Sequence, residues 1–221
     1  MLLVLGNANA QINTPAGATN PFASNLSYGF GIMPTNLPTG GAFGKSQDAA
    51  DAYNEWKTFY VDQTCSGGTQ ARVKFDDVNA TVSEGIAYGM LLSVYAADKP
   101  LFDKLWAYYK ANSNGNNIMN WKINGCSGTS GFNGATDAEL DAAMALIIAE
   151  AQWPTINSPY DYAVEASNLI TKIKTFEMES GQFQAINGDG WGFGNSCRNP
   201  SYQAPAYYKA YATQNAGEAT F

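Results

Sequence analysis

Apolar residues recur at helical spacing in five stretches of the chain. Ala49 to Val61 carries Ala52, Trp56, Phe59 and Tyr60 on one stripe, and Ser83 to Ala97 carries Ile86, Met90, Leu91, Val94 and Tyr95. The same period runs through Leu101 to Ala111 (Leu101, Leu105, Trp106, Tyr109), Asp137 to Gln152 (Leu140, Met144, Ile147, Ile148) and Tyr160 to Phe176 (Ala163, Ala166, Leu169, Ile170, Ile173). A further helix is expected to open near Pro205, since proline is well placed in a first helical turn. Between the helices lie loops heavy in Gly and Asn, at 62–68, 112–117, 125–134 and 188–198, and no run of alternating strands is evident. Helix, loop, helix without strands is the pattern of a bundle or a barrel of helical hairpins, which periodicity does not separate. Trp56, Trp106 and Trp153 fall on helices and read as core, whereas Trp121 and Trp191 sit in Gly/Asn-rich loops.

The ends of the chain read differently. Residues 1–10 combine a short apolar run with Ala8-x-Ala10, the small-residue pattern cut by signal peptidase, and read as the remnant of a secretory signal. Residues 11–47, rich in Pro, Gly, Asn and Thr, read as an extended segment ahead of a helical domain over 48–221. No other stretch nears the roughly 18 apolar residues that a membrane span needs.

Composition narrows the chemistry. There are 221 residues, enough to bury a core, and no histidine among them, which removes Ser-His-Asp and Cys-His triads and His-ligated zinc. The formal charge of -7 argues against nucleic acid or an anionic membrane as partner and favours a neutral substrate. Charged residues make up only 14% of the chain and aromatics 13%, the remaining polarity being Asn, Gln, Ser, Thr and Gly, a mixture suited to sugars. Cys65 and Cys126 lie in Gly/Ser-rich loops that suit a stapling disulfide, three free thiols including Cys197 being the alternative. No cofactor or metal is implied.

Two carboxylates stand where helices leave loops, in Thr81-Val82-Ser83-Glu84-Gly85 and Ala135-Thr136-Asp137-Ala138-Glu139. Thr136 and Glu139 have capping-box spacing, placing Asp137 in a first turn. Taken alone, each acid reads as a complement to the positive end of its helix. Their surroundings say more, because Tyr88, Asn120, Trp121, Trp191 and Tyr202 crowd the same loop edges. Flat rings stack on pyranose faces while amides and carboxylates bond the hydroxyls.

Four segments in order, Thr81-Val82-Ser83-Glu84-Gly85-Ile86-Ala87-Tyr88-Gly89-Met90, Asn120-Trp121-Lys122, Ala135-Thr136-Asp137-Ala138-Glu139-Leu140-Asp141 and Asn199-Pro200-Ser201-Tyr202-Gln203-Ala204-Pro205, resemble the successive motifs of glycoside hydrolase family 8. The resemblance covers about residues 50 to 212 and implies an all-α (α/α)6 barrel, here incomplete, acting on a polysaccharide. It makes Glu84 the general acid, Asp137 the aspartate holding the distorted sugar, Trp121 a stacking platform and Tyr202 a hydroxyl at the same subsite. It further implies an inverting endo-β-1,4-glucanase first, a xylanase second and a chitosanase third, with a non-catalytic glycan-binding module as the reading of another class. The family's water-activating aspartate lies in a later motif that has no counterpart here. The natural protein is therefore expected to be longer, and the 221-residue chain to be poorly stable alone. Asp189, in Asn-Gly-Asp-Gly, reads as a turn residue rather than that base.

Overall fold

A computed structural model describes residues 27–28, 31–32, 46–154, 159–179, 184–191 and 199–215. The signal-like segment and Cys197 lie outside the described residues. Seven helical segments are present among them: α1 (Ser46–Tyr60), a short turn α2 (Cys65–Gly68), α3 (Ser83–Tyr95), α4 (Lys99–Ala111), α5 (Thr136–Gln152), α6 (Tyr162–Phe176) and α7 (Pro205–Gln214). Every expected helix is there, with ends moved by up to three residues. None of the helices among the described residues is long and apolar enough to cross a membrane.

The helices fall into two kinds. α5 is buried on nearly all sides, from Ala138 and Leu140 through Ile147 and Ile148 to Gln152, as a helix apolar all round must be. It packs against α3 on one side and α6 on the other, and α4 folds back on α3, so the chain runs as successive hairpins. α4 and α6 are amphipathic and bury Leu101, Leu105, Trp106 and Tyr109, and Ala166, Leu169, Ile170 and Ile173. Phe102, Trp153 and Tyr162 close the hairpin ends as an aromatic cluster with centroids 5.4–5.7 Å apart. Trp106 and Trp153 are core residues and Trp56 packs against the core, as expected, although Trp153 lies just past the end of α5.

α1 departs from its expected stripe. Phe59 and Tyr60 are exposed, and Tyr53, Trp56 and Lys57 form the inward face. The anchor is polar: Tyr53 Oη donates to the buried Asp98 at 2.8 Å, and Lys57 pairs with the same carboxylate. A stripe drawn on hydrophobicity misses a face whose inward pull comes from a buried acid.

Among the described residues, strands are present where none were expected, in four small antiparallel sheets. β1 (Ser27–Tyr28) pairs with β2 (Gly31–Ile32), β3 (Val61–Asp62) with β4 (Arg72–Val73), and β8 (Met178–Glu179) with β9 (Gln184–Ala185). The largest is three-stranded: β5 (Ala80–Val82) pairs with β6 (Lys122–Asn124), which pairs with β7 (Gly128–Gly131), in the register Thr81 opposite Ile123 and Lys122 opposite Gly131. Strands of two to four residues carry no readable alternation, and tertiary position alone makes them extended. Cys65 and Cys126 form a disulfide that ties α2 to the turn between β6 and β7. It settles the choice between a staple and free thiols for that pair.

Candidate active site

The three-stranded sheet sets the site. β5 runs directly into α3, and Ser83 N–H donates to the carbonyl of Trp121 at 3.0 Å, so the first turn of α3, with Glu84, is held against the residue that opens β6. Trp121 N–H donates in turn to the Asn133 carbonyl at 2.7 Å, which brings in the loop leading to α5 and Asp137. Asn120 is buried and its amide is spent on backbone: Nδ2 donates to the Asn112 carbonyl at 3.0 Å and Oδ1 accepts from Asn133 N–H at 3.0 Å. It locks together the two loops that flank the site.

The inner and outer helices begin differently. α4 and α6 are capped by Asp98 and Asp161, which accept from Leu101 and Val164 N–H. α3 and α5 start at Val82 and Ala135 with no side-chain cap. The expected capping box at Thr136 and Glu139 is not formed. Thr136 is itself helical and its hydroxyl donates to the Ile186 carbonyl at 2.6 Å, while Glu139 turns inward to Tyr109. Tertiary partners outcompete the local cap, and the first turn of α5 is left to Asp137, whose Oδ1 accepts from Ala138 N–H at 3.0 Å.

Because α3 and α5 pack together, Glu84 and Asp137 come to neighbouring helix starts, both partly exposed. The Asp137 carboxyl is pushed up to about 6, first by burial and then by the charge of Glu84, against the pull of Ala138 N–H. Tyr88, one turn on from Glu84, donates to Glu84 Oε1 at 3.0 Å and is itself pushed up to about 12 by burial and by that acid. Tyr202, in a 3-10 turn before α7, lies near Asp137, and its hydroxyl is raised by burial and then by the charge of that acid. Asp141 and Tyr207 are members that the sequence pattern does not single out. Asp141 lies one helical turn after Asp137 on the same face, beside Tyr207, and is raised by burial and by Glu84. The i, i+4 spacing of Asp137 and Asp141 is the signal that could have found it.

Two tryptophans flank these groups. Trp121 is partly exposed and its ring lies over Gly131, where an added Cβ would come 2.4 Å from the ring. Trp191 is 51% exposed and its Nε1 donates to the Gly134 carbonyl at 3.2 Å. Asp189 is a turn residue with a structural role, accepting from Gly134 N–H at 2.6 Å and from the Asn114 and Asn116 amides at 2.7 and 2.9 Å. It fastens the Trp191 turn to the loop before Asp137.

Carboxyls in unequal environments, ringed by tyrosine hydroxyls and exposed indoles at the loop end of helical hairpins, are the equipment of a polysaccharide-processing site. Residues 36–219 match the model of the family described as glycosyl hydrolases family 8, and the chain belongs to that family. It is 36% identical over 205 residues to Endoglucanase A of Acetivibrio thermocellus, covering 90% of this chain and 42% of that protein. Endoglucanase 2 of Ruminiclostridium josui is 33% identical over 220 residues, covering 97% and 45%. Among solved structures, the Beta-1,3-1,4-glucanase from Paenibacillus sp. X4 superposes with a TM-score of 0.68 at 25% identity, over 90% of this chain and 50% of that one. The helical hairpins are thus part of an (α/α)6 barrel, and the chain spans less than half the length of these two curated relatives.

Proposed function

We propose that the protein hydrolyses internal β-1,4 linkages of a glucan, including mixed-linkage β-glucan, with inversion. The observation that carries this reading is the convergence of Glu84 and Asp137 at the starts of two packed helices, with Tyr202 beside them. Glu84 acts as general acid: Tyr88 engages its Oε1, and Oε2 is left to carry the proton to the glycosidic oxygen as the bond to the anomeric carbon breaks. Asp137 and Tyr202 hold hydroxyls of the distorted sugar at the cleavage point, and Trp121 and Trp191 offer ring faces on either side. Asn120 contributes by fixing the Trp121 loop. Water attacks the opposite face of the ring, activated by a second carboxylate about 6.5–9.5 Å from the acid. Support for glucan as substrate comes from the relatives named endoglucanase and β-1,3-1,4-glucanase. Action outside the reducing cytoplasm is supported by the Cys65–Cys126 disulfide and the signal-like start.

The test is proton NMR of cello-oligosaccharide cleavage by the wild-type protein and Glu84→Gln. An α-anomeric product appearing first, and its loss in the variant, are expected. A β-anomer as first product would refute inversion.

A further inference from the structure

Behind the Asp137 turn lie two carboxyl groups that the proposed reaction does not use. Glu139, in the first turn of α5, and Glu177, directly after α6, are both 0% exposed. Tyr109 of α4 donates to Glu139 Oε1 at 3.0 Å, but Glu139 Oε2 and both oxygens of Glu177 find no donor among the other described groups. The two groups converge on Gly134: a Cβ built there would lie 2.8 Å from Glu177 Oε1 and 3.1 Å from Glu139 Oε2. The two carboxyl groups therefore face each other at Gly134, and one can donate to the other only if it carries a proton. Neither belongs to an ion pair among the described residues, and two unpaired charges at full burial would cost far more than protonation does.

We propose that Glu139 and Glu177 share a proton, and that this pair is the positioning device that holds the Asp137 turn in place. A backbone relay closes the same clasp, since Ile186 N–H donates to the Glu177 carbonyl at 2.8 Å and the Ile186 carbonyl accepts from the Thr136 hydroxyl. The start of α5 is therefore gripped from the Glu177 side through both side chain and main chain. The ionisable groups facing the pair are Tyr109 from α4, Asp137 from α5 and Asp189 from the 188–191 turn. Burial comes first among the causes and these acids add to it, pushing Glu139 up to about 8 and Glu177 well above the ordinary glutamate value of 4.5. Burial likewise keeps Tyr109 protonated as a donor.

With folded values raised, the native state holds more protons than the unfolded chain, so the pair's contribution falls as pH rises from about 4.5 towards the folded value, near 8 for Glu139. Glu177→Gln keeps the shape and a donor and has no proton to lose. Glu177→Ala leaves Glu139 without its partner. Thermal unfolding of the three proteins between pH 5 and 9 should show Glu177→Gln gaining on wild type as pH rises, by roughly 3 °C per pH unit. Parallel wild-type and Glu177→Gln curves would overturn the shared proton. The positioning role rests on the reading of Asp137 as the sugar-holding group and is read separately, as kcat on soluble β-glucan: lowered in Glu177→Ala, restored in Glu177→Gln, and sustained above pH 8 in the latter where wild type declines. Unchanged kcat in Glu177→Ala would overturn that role. A widening Tm gap with no glucan cleavage by any of the three would leave the shared proton standing and refute the functional reading, and the positioning role with it.

Discussion

Breaking the Cys65–Cys126 bond has an effect whose size follows from its span. The two cysteines are 61 residues apart, and closing a loop of that length removes chain entropy from the unfolded state worth about 4 kcal/mol at 25 °C. The native side of the balance changes little, because the turn holding Cys126 is fastened independently. Tyr108 Oη donates to the Gly125 carbonyl at 2.7 Å, Gly125 N–H donates to the Asn79 carbonyl at 2.6 Å, and the Asn112 amide reaches the Cys126 carbonyl. The double variant Cys65→Ala, Cys126→Ala should therefore keep its fold and lose about 4 kcal/mol, or roughly 10 °C in Tm for a domain of this size. Alanine is chosen because Cys65 is 1% exposed and a serine there would add the cost of a buried hydroxyl. Guanidinium unfolding followed by tryptophan fluorescence, on the variant and on oxidised and reduced wild type, measures it. A difference below about 1 kcal/mol would refute the entropic account. So would a variant that loses the β5–β6–β7 sheet, since the loss would then lie in the native state.

Other perturbations reach the site more directly. Gly131→Ala puts a methyl group 2.4 Å from the Trp121 ring, so the indole must swing away, and cello-oligosaccharide KM should rise several-fold with kcat changed much less; an unchanged KM would remove Trp121 from the binding surface. Asp137 needs its charge to accept from sugar hydroxyls, so oligosaccharide affinity should fall as pH drops through about 6, and calorimetry of Asp137→Asn should show weaker binding without that limb. Asp189→Ala strands the Gly134 N–H and two asparagine amides, and should cost about 2–3 kcal/mol in chemical denaturation while freeing the Trp191 turn.

The helices are legible in the sequence because each buries a stripe, and α5, buried all round, still shows its Leu140, Ile147 and Ile148. What escapes such a reading is set by partners distant in sequence. Thr136 and Glu139 have the spacing of a local cap, yet one bonds Ile186 and the other Tyr109, 30 residues away. Hydrophobicity puts α1 on the wrong face because its inward pull is the buried Asp98. The strands around Trp121 are too short for periodicity, yet they bring Asn120-Trp121 to the Glu84 turn. Glu84, Asp137 and Tyr202 stand out through the motifs around them, whereas Asp141 and Tyr207 sit inside or beside those motifs and show their part only once the fold sets them side by side.

The most direct test of the account is reducing-end release from barley β-glucan and cello-oligosaccharides by the purified protein beside its Glu84→Gln variant, with oligosaccharide affinity measured in parallel. Release by wild type, a loss of roughly 10²–10⁴-fold in the variant and near-equal affinities are expected. A variant that cleaves at the wild-type rate would contradict it.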